Sequence, residues 1–187
     1  MQTLSPALSA RPLALARQIG LAAIGVVLLT LSAKAKVPFW PVPMTLQALV
    51  VLGYAAAFGE RIAVGTMLAY LAIGAAGYPV FAGTPDRGIG LAYMVGPTGG
   101  YLVGFLAASW VVGRLGAGKP FLTRALALAL GVVIIDGLGV LWLMNFFPPM
   151  DAIAKGVGLF VVVDFIKAAI VAVGVSLAEP WLKSLRS

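Results

Sequence analysis

Cysteine and histidine are both absent from the 187 residues, and each absence removes a chemistry. Without thiols there is no disulfide, no thiolate metal site and no cysteine nucleophile; without imidazole the commonest proton shuttle and metal ligand is gone. Acidic residues number only six and stand apart, so no cluster of carboxylates is available for metal or acid–base work. The phosphate-binding pattern GxxxxGK[ST] does not occur either, so any ATP hydrolysis belongs to a partner. Charge as a whole is thin, 10% of residues against 61% hydrophobic with a mean hydropathy of +1.06, which places the chain among multi-pass membrane proteins. The net charge of +7 is not a nucleic-acid signature, because Lys and Arg stand singly at the edges of apolar runs, as membrane topology requires.

The apolar runs predict an all-α membrane protein, one integral membrane domain of six spans at about 18–35, 44–59, 61–77, 96–113, 121–146 and 157–178. The first run follows Arg11 and Arg17 and ends at Lys34 and Lys36, not at a small-residue cleavage site, so it reads as a helix and not as a secretory signal. Pro38, Pro41 and Pro43 break the start of the next uncharged run into an extended or re-entrant loop, VPFWPVPMT. Glu60 and Arg61 leave space only for a tight turn, which makes the second and third helices antiparallel neighbours. Residues 78–95 mix Pro, Gly and aromatic residues with Asp86 and Arg87 and read as a structured loop, and Pro148 and Pro149 stop the fifth helix ahead of a loop holding Asp151 and Lys155. An even number of spans puts both termini on one side. Arg11, Arg17, Arg61, Arg114, Lys119, Arg124, Lys183 and Arg186 fall on that side against Lys34, Lys36, Arg87 and Lys155 opposite, so the termini are expected in the cytoplasm and the unusual loops on the outer face of the cell membrane.

Small residues recur every four positions at Gly100, Gly104 and Ala108, and again at Gly65 and Ala69, Ala125 and Ala129, and Ala168 and Ala172. Such faces let helices approach closely in lipid. Ala16 and Gly20 form a similar small face near the start of the first helix, a candidate docking surface for another membrane subunit, and association between copies of the chain stays open.

Two charges stand where a membrane span tolerates them least. The last apolar run carries Asp164 and Lys167 in DFIKAA, and each costs roughly 2.5 to 3.5 kcal/mol near a bilayer centre, so the pair must be satisfied inside the bundle or in a wet cavity. The bland alternative is an i, i+3 pair that neutralises itself. Asp136 in the fifth span lies at a similar depth, roughly 10 to 14 Å from the outer end, and is a possible second partner for Lys167. In the loops, GPTGGY (96–101) offers the backbone NH groups of Gly99, Gly100 and Tyr101 at a helix start, with Thr98 as a further donor. In VPMTLQ (42–47) Thr45 can cap the second helix while Gln47 points an amide toward the outer side. Alone, each loop motif is no more than a helix end.

Together, VPMTLQ after a proline-rich turn, PVFAG at 79–83, GPTGGYLVGF at 96–105 and DFIKAA at 164–169 resemble the BioY family, the biotin-specific S components of energy-coupling factor (ECF) transporters, over nearly the whole chain. The resemblance implies a six-helix membrane subunit, non-catalytic and without a cofactor, that captures biotin from the outer face and works with an ECF transmembrane coupling protein and two ATPase subunits. The residue inventory agrees. A carboxylate tail needs a cation, for which Lys167 and Arg87 are candidates; a ureido ring needs acceptors, for which Asp164 and Gln47 serve, and a donor, from Gln47, Thr98 or backbone NH groups. Trp40, Phe39, Tyr93 and Tyr101 in the same outer segments are candidates to cover the bicyclic ring. Another small anionic vitamin would also fit this inventory. An intramembrane enzyme is disfavoured by the missing nucleophile–base pair, and a purely structural subunit by the charge pair in mid-helix.

Overall fold

The structure, a computed structural model, describes residues 7–38, 40–158 and 160–186. Among them the chain forms eight helices and one short ribbon: α1 (Ala7–Lys34), β1 (Lys36–Val37), β2 (Met44–Thr45), α2 (Gln47–Phe58), α3 (Glu60–Ala75), α4 (Gly90–Met94), α5 (Gly99–Gly116), α6 (Phe121–Leu143), α7 (Pro149–Gly156) and α8 (Phe160–Arg186). β1 and β2 pair antiparallel, Lys36 opposite Thr45 and Val37 opposite Met44. The proline-rich segment between them is therefore a hairpin excursion, closed at its base.

Several boundaries differ from the sequence expectation for identifiable reasons. The segment after Pro148 is a helix and not a loop: α7 begins with Pro149 in its first turn, where proline's missing N–H costs nothing. The last helix does not stop at 178 but runs on through Pro180 to Arg186. α2 spans only 12 residues, about 18 Å, because Thr45 and the ribbon take the chain's first turn away from it. Among the described residues three segments are, by length and composition, long and apolar enough to cross a membrane, Leu15–Lys34, Phe121–Leu143 and Pro149–Leu185.

The closest helix pair is α5 against α6, and glycine makes the approach possible. A Cβ on Gly104 would lie 2.9 Å from the Ile135 Cα, and one on Gly100 would lie 2.2 Å from the Trp142 Cβ, so the small face foreseen on α5 is a packing face. On the other side of the seam Gly139 makes room for the Tyr101 ring, whose hydroxyl then reaches across to donate to the Gly156 carbonyl of α7 at 2.8 Å. Leucines, valines and alanines from α2, α5, α6 and α8 fill the core around this seam. Large apolar side chains such as Leu31, Leu126, Ile170 and Leu177 point outward, as a bilayer solvent demands.

The segment 78–89 is strapped to the end of α1. Lys34 Nζ donates to the Phe81 carbonyl (2.8 Å), the Thr84 carbonyl (2.9 Å) and the Thr84 hydroxyl (3.0 Å), and Lys36 Nζ donates to the Ala82 carbonyl (2.9 Å). Two lysines that count as topology charges in the sequence thus satisfy backbone carbonyls that no helix or sheet pairs. Phe81 is delivered over Gly74, where a side chain would collide with its ring, and stacks on Tyr93 with ring centroids 5.0 Å apart.

Candidate functional site

Between α2, α5, α6 and α8, beneath the β1–β2 ribbon and the strapped segment, lies a cavity that together with its open mouth encloses about 590 Å³. Its polar lining is Thr45, Gln47, Thr98, Asp136, Asp164 and Lys167, and its aromatic lining is Phe81, Tyr93, Tyr101, Phe105 and Phe160. Thr98 belongs to the turn ahead of α5 and Gln47 opens α2, so two elements begin at the cavity wall. Asp164 and Lys167 come from the second turn of α8, three residues apart and hence on one face.

The charge pair is buried: Asp164 is 8% and Lys167 6% exposed. Lys167 Nζ donates to Asp164 Oδ1 at 2.6 Å and to the Thr45 carbonyl at 2.7 Å. An ammonium has three donors and a carboxylate about four acceptor positions, so the pair satisfies part of each group and leaves capacity facing the cavity. The second bond ties α8 to the strand that precedes α2. Thr45 also accepts the Gln47 backbone N–H at its hydroxyl (3.2 Å), so the foreseen capping role is met from one residue earlier than the N-cap itself, Leu46. Gln47 is 3% exposed, and its amide nitrogen has no hydrogen-bond partner among the described residues. Tyr93 is held in register by its hydroxyl, which accepts the Gly83 backbone N–H at 3.2 Å.

Of the residues singled out in the sequence, Gln47, Tyr93, Thr98, Tyr101, Asp164 and Lys167 line this one cavity. Arg87 does not. It stands in an adjoining outer recess with Trp40, Pro41, Gly96 and Pro97 that shares Tyr93 and Thr98 with the cavity, and its guanidinium donates to the Pro41 carbonyl. Gly99 and Gly100 are also displaced from the expected role: both face Trp142, and the Gly99 N–H donates to the Gly96 carbonyl at 2.9 Å, so the glycines serve the α5–α6 approach and the turn. Asp136 lines the cavity, but the expected ion pair with Lys167 is not found among the described residues, where Lys167 pairs with Asp164. Trp40 is largely exposed and meets Phe147 edge-on, with centroids 5.5 Å apart. Phe39 lies outside the described residues. Ala16 is exposed, and a Cβ on Gly20 would meet nothing within 4 Å, so among the described residues nothing covers that small face.

Sequence reasoning missed Phe81, Phe105 and Phe160 as cavity walls. Phe81 carried a usable signal, a lone aromatic in a loop sharing PVFAG with two prolines and glycines nearby; Phe105 and Phe160 carried none, since a phenylalanine in an apolar run reads as core.

Comparison with known proteins gives a consistent picture. Residues 2–184 match the model of the BioY family. A probable biotin transporter BioY from Pyrococcus horikoshii is 37% identical over 154 residues, covering 82% of this chain and 91% of the relative. The biotin transporter BioY of Thermotoga maritima is 36% identical, covering 83% and 92%, and the biotin transporter BioY2 of Lactococcus lactis is 32% identical, covering 82% and 85%. Among solved structures, the S-component for biotin from an ECF-type ABC transporter superposes with a TM-score of 0.75 over 95% of both chains at 20% identity, a likeness of fold. With the family model spanning nearly the whole chain, and with relatives above 30% identity aligned over most of their length, this chain belongs to the BioY family.

Proposed function

We propose that this chain is a membrane-embedded biotin-capture subunit, non-catalytic itself, that takes up biotin from the outer face. The carrying observation is a cavity in which the Asp164–Lys167 pair, Asp136 and the Gln47 amide converge inside aromatic walls, in a chain of a family whose relatives are named biotin transporters. In this reading the ureido ring meets Gln47, Asp164 and Lys167, because a neutral ring with both donors and acceptors suits a nearly neutral ion pair. Phe81, Tyr93, Tyr101 and Phe105 enclose the bicyclic ring. The carboxylate tail points outward past Thr98 toward Arg87, where water still screens its charge.

The membrane arrangement follows from the same reading. α1, α2, α3, α5, α6 and α8 make six crossings with the termini in the cytoplasm, the shorter helices being completed by the ribbon and the outer segments packed on them. The chain carries no ATP-binding motif, so uptake is coupled to an ECF transmembrane protein and two ATPase subunits, with the bare Ala16–Gly20 face of α1 as a docking surface. Equilibrium binding of biotin to the purified protein in detergent, without ATP or partners, tests the capture role; absence of saturable binding overturns it. A protease-cleavable tag at either terminus is expected to resist digestion of intact cells, and clipping there refutes the topology.

A further inference from the structure

One polar residue of the cavity takes no part in the ion pair. Asp136 sits in the second half of α6, is 5% exposed and lines the cavity, and its Oδ2 has no hydrogen-bond partner among the described residues. Neighbouring donors are committed elsewhere: Lys167 to Asp164 and Thr45, and the Tyr101 hydroxyl to the Gly156 carbonyl. A bundle built only for stability has no use for a carboxyl here, since an apolar residue of similar volume packs without the desolvation cost. Gln47 of α2, in the wall of the same cavity, presents the complementary case: its buried amide nitrogen carries two N–H groups, of which the Tyr70 hydroxyl can take one. A spare amide N–H and an orphaned carboxylate oxygen are both satisfied by a ligand edge carrying a carbonyl next to an N–H, which is the edge of a cyclic urea.

We infer that Asp136 is a specificity-determining residue that accepts one ureido N–H of the ligand while Gln47 donates to its carbonyl, leaving Asp164 to accept the second N–H. The inference rests on the reading of the cavity as a biotin site. It assigns the two carboxylates of the cavity to the two N–H groups of one ring, and it explains why a second acidic residue is buried where the Lys167 charge is already matched.

The test compares biotin with two analogues, each methylated at one of the two ureido nitrogens, on wild type, Asp136→Ala and Asp136→Asn in detergent. Wild type is expected to reject both analogues. In Asp136→Ala biotin binding weakens roughly ten- to hundredfold, while discrimination against one of the two analogues collapses by a similar factor and discrimination against the other persists. Asp136→Asn, which keeps the shape and one acceptor but loses the charge, weakens biotin binding less than Asp136→Ala and keeps the discrimination between the two analogues. Equal loss for biotin and both analogues in Asp136→Ala, or full retention of both discriminations, overturns the inference, since a group that only fills space or holds water does not distinguish the two nitrogens. Thermal midpoints of the empty proteins are read alongside; a fall in midpoint with unchanged ligand ratios also counts against it. Failure of wild type to bind biotin would instead refute the function proposed above, so the two failures are separable.

Discussion

Two ion pairs engage α8, one in its second turn and one near its C-terminal end, and they are built differently. Arg124 of α6, 2% exposed, donates to Glu179 Oε2 at 2.6 Å, to the Ser176 hydroxyl at 2.6 Å and to the Lys119 carbonyl at 2.9 Å. It bridges two helices and a connector, and no cavity described here touches it. Asp164 and Lys167 lie on a single helix, bond each other and one strand carbonyl, and line the cavity with its aromatic rings. The first pair uses its hydrogen-bonding capacity to fasten elements together. Arg124 Nε itself is left without a partner among the described residues, so what sets the second pair apart is not spare capacity but its place in the wall of an aromatic-lined cavity.

The contrast is open to breaking, beginning with its largest expected effects. Lys167→Ala leaves the Asp164 carboxylate buried without its cation and is expected to cost roughly 3 to 5 kcal/mol, with biotin affinity falling further than in Arg87→Ala, whose charge stands in the wet outer recess. Equal affinity losses in the two variants would remove the distinction between buried and outer cations. Arg124→Met is expected to lower the stability of the empty protein by a comparable amount, roughly 3 to 5 kcal/mol, while biotin affinity of the folded fraction stays within about threefold. A selective loss of binding there would mean that the two pairs are not functionally separate.

Asp164→Asn is of intermediate size. It keeps shape and one acceptor and is expected to weaken biotin binding by roughly 1.5 to 3 kcal/mol in a protein that remains folded. Unchanged affinity in a destabilised variant would return the pair to self-neutralisation. At the small end, the exposed Asp151–Lys155 pair of α7, 3.3 Å apart, provides the control: Lys155→Ala is expected to change stability by no more than about 0.5 kcal/mol and affinity not at all. A larger effect would show that surface pairs on this face are coupled to the cavity.

Membrane class, the order of the principal helices and the candidacy of Asp164 and Lys167 are legible in the sequence. All three rest on signals of long period or high cost, runs of apolar residues and charges placed inside them, which survive any arrangement of the neighbours. The small-residue repeat on α5 was legible for the same reason, although its Gly99 and Gly100 looked equally like donors at a helix start. Only packing against Trp142 decides between those uses. Lys34 and Lys36 were readable as topology charges, but their strapping of the Phe81–Thr84 backbone depends on a segment 46 to 50 residues away.

The sequence by itself determined what the chain can be made of: a lipid-solvated helical bundle without thiol or imidazole chemistry, with one charge pair that had to be housed. Tertiary structure decided which polar groups share a room. Gln47, Asp136 and Asp164 come from three helices whose contact no local pattern encodes, and Arg87, plausible on charge alone, falls into the adjoining recess. The reason is physical: composition and periodicity report how each segment meets its solvent, while a cavity is made by the side chains that segments turn toward one another, and those are set by long-range packing.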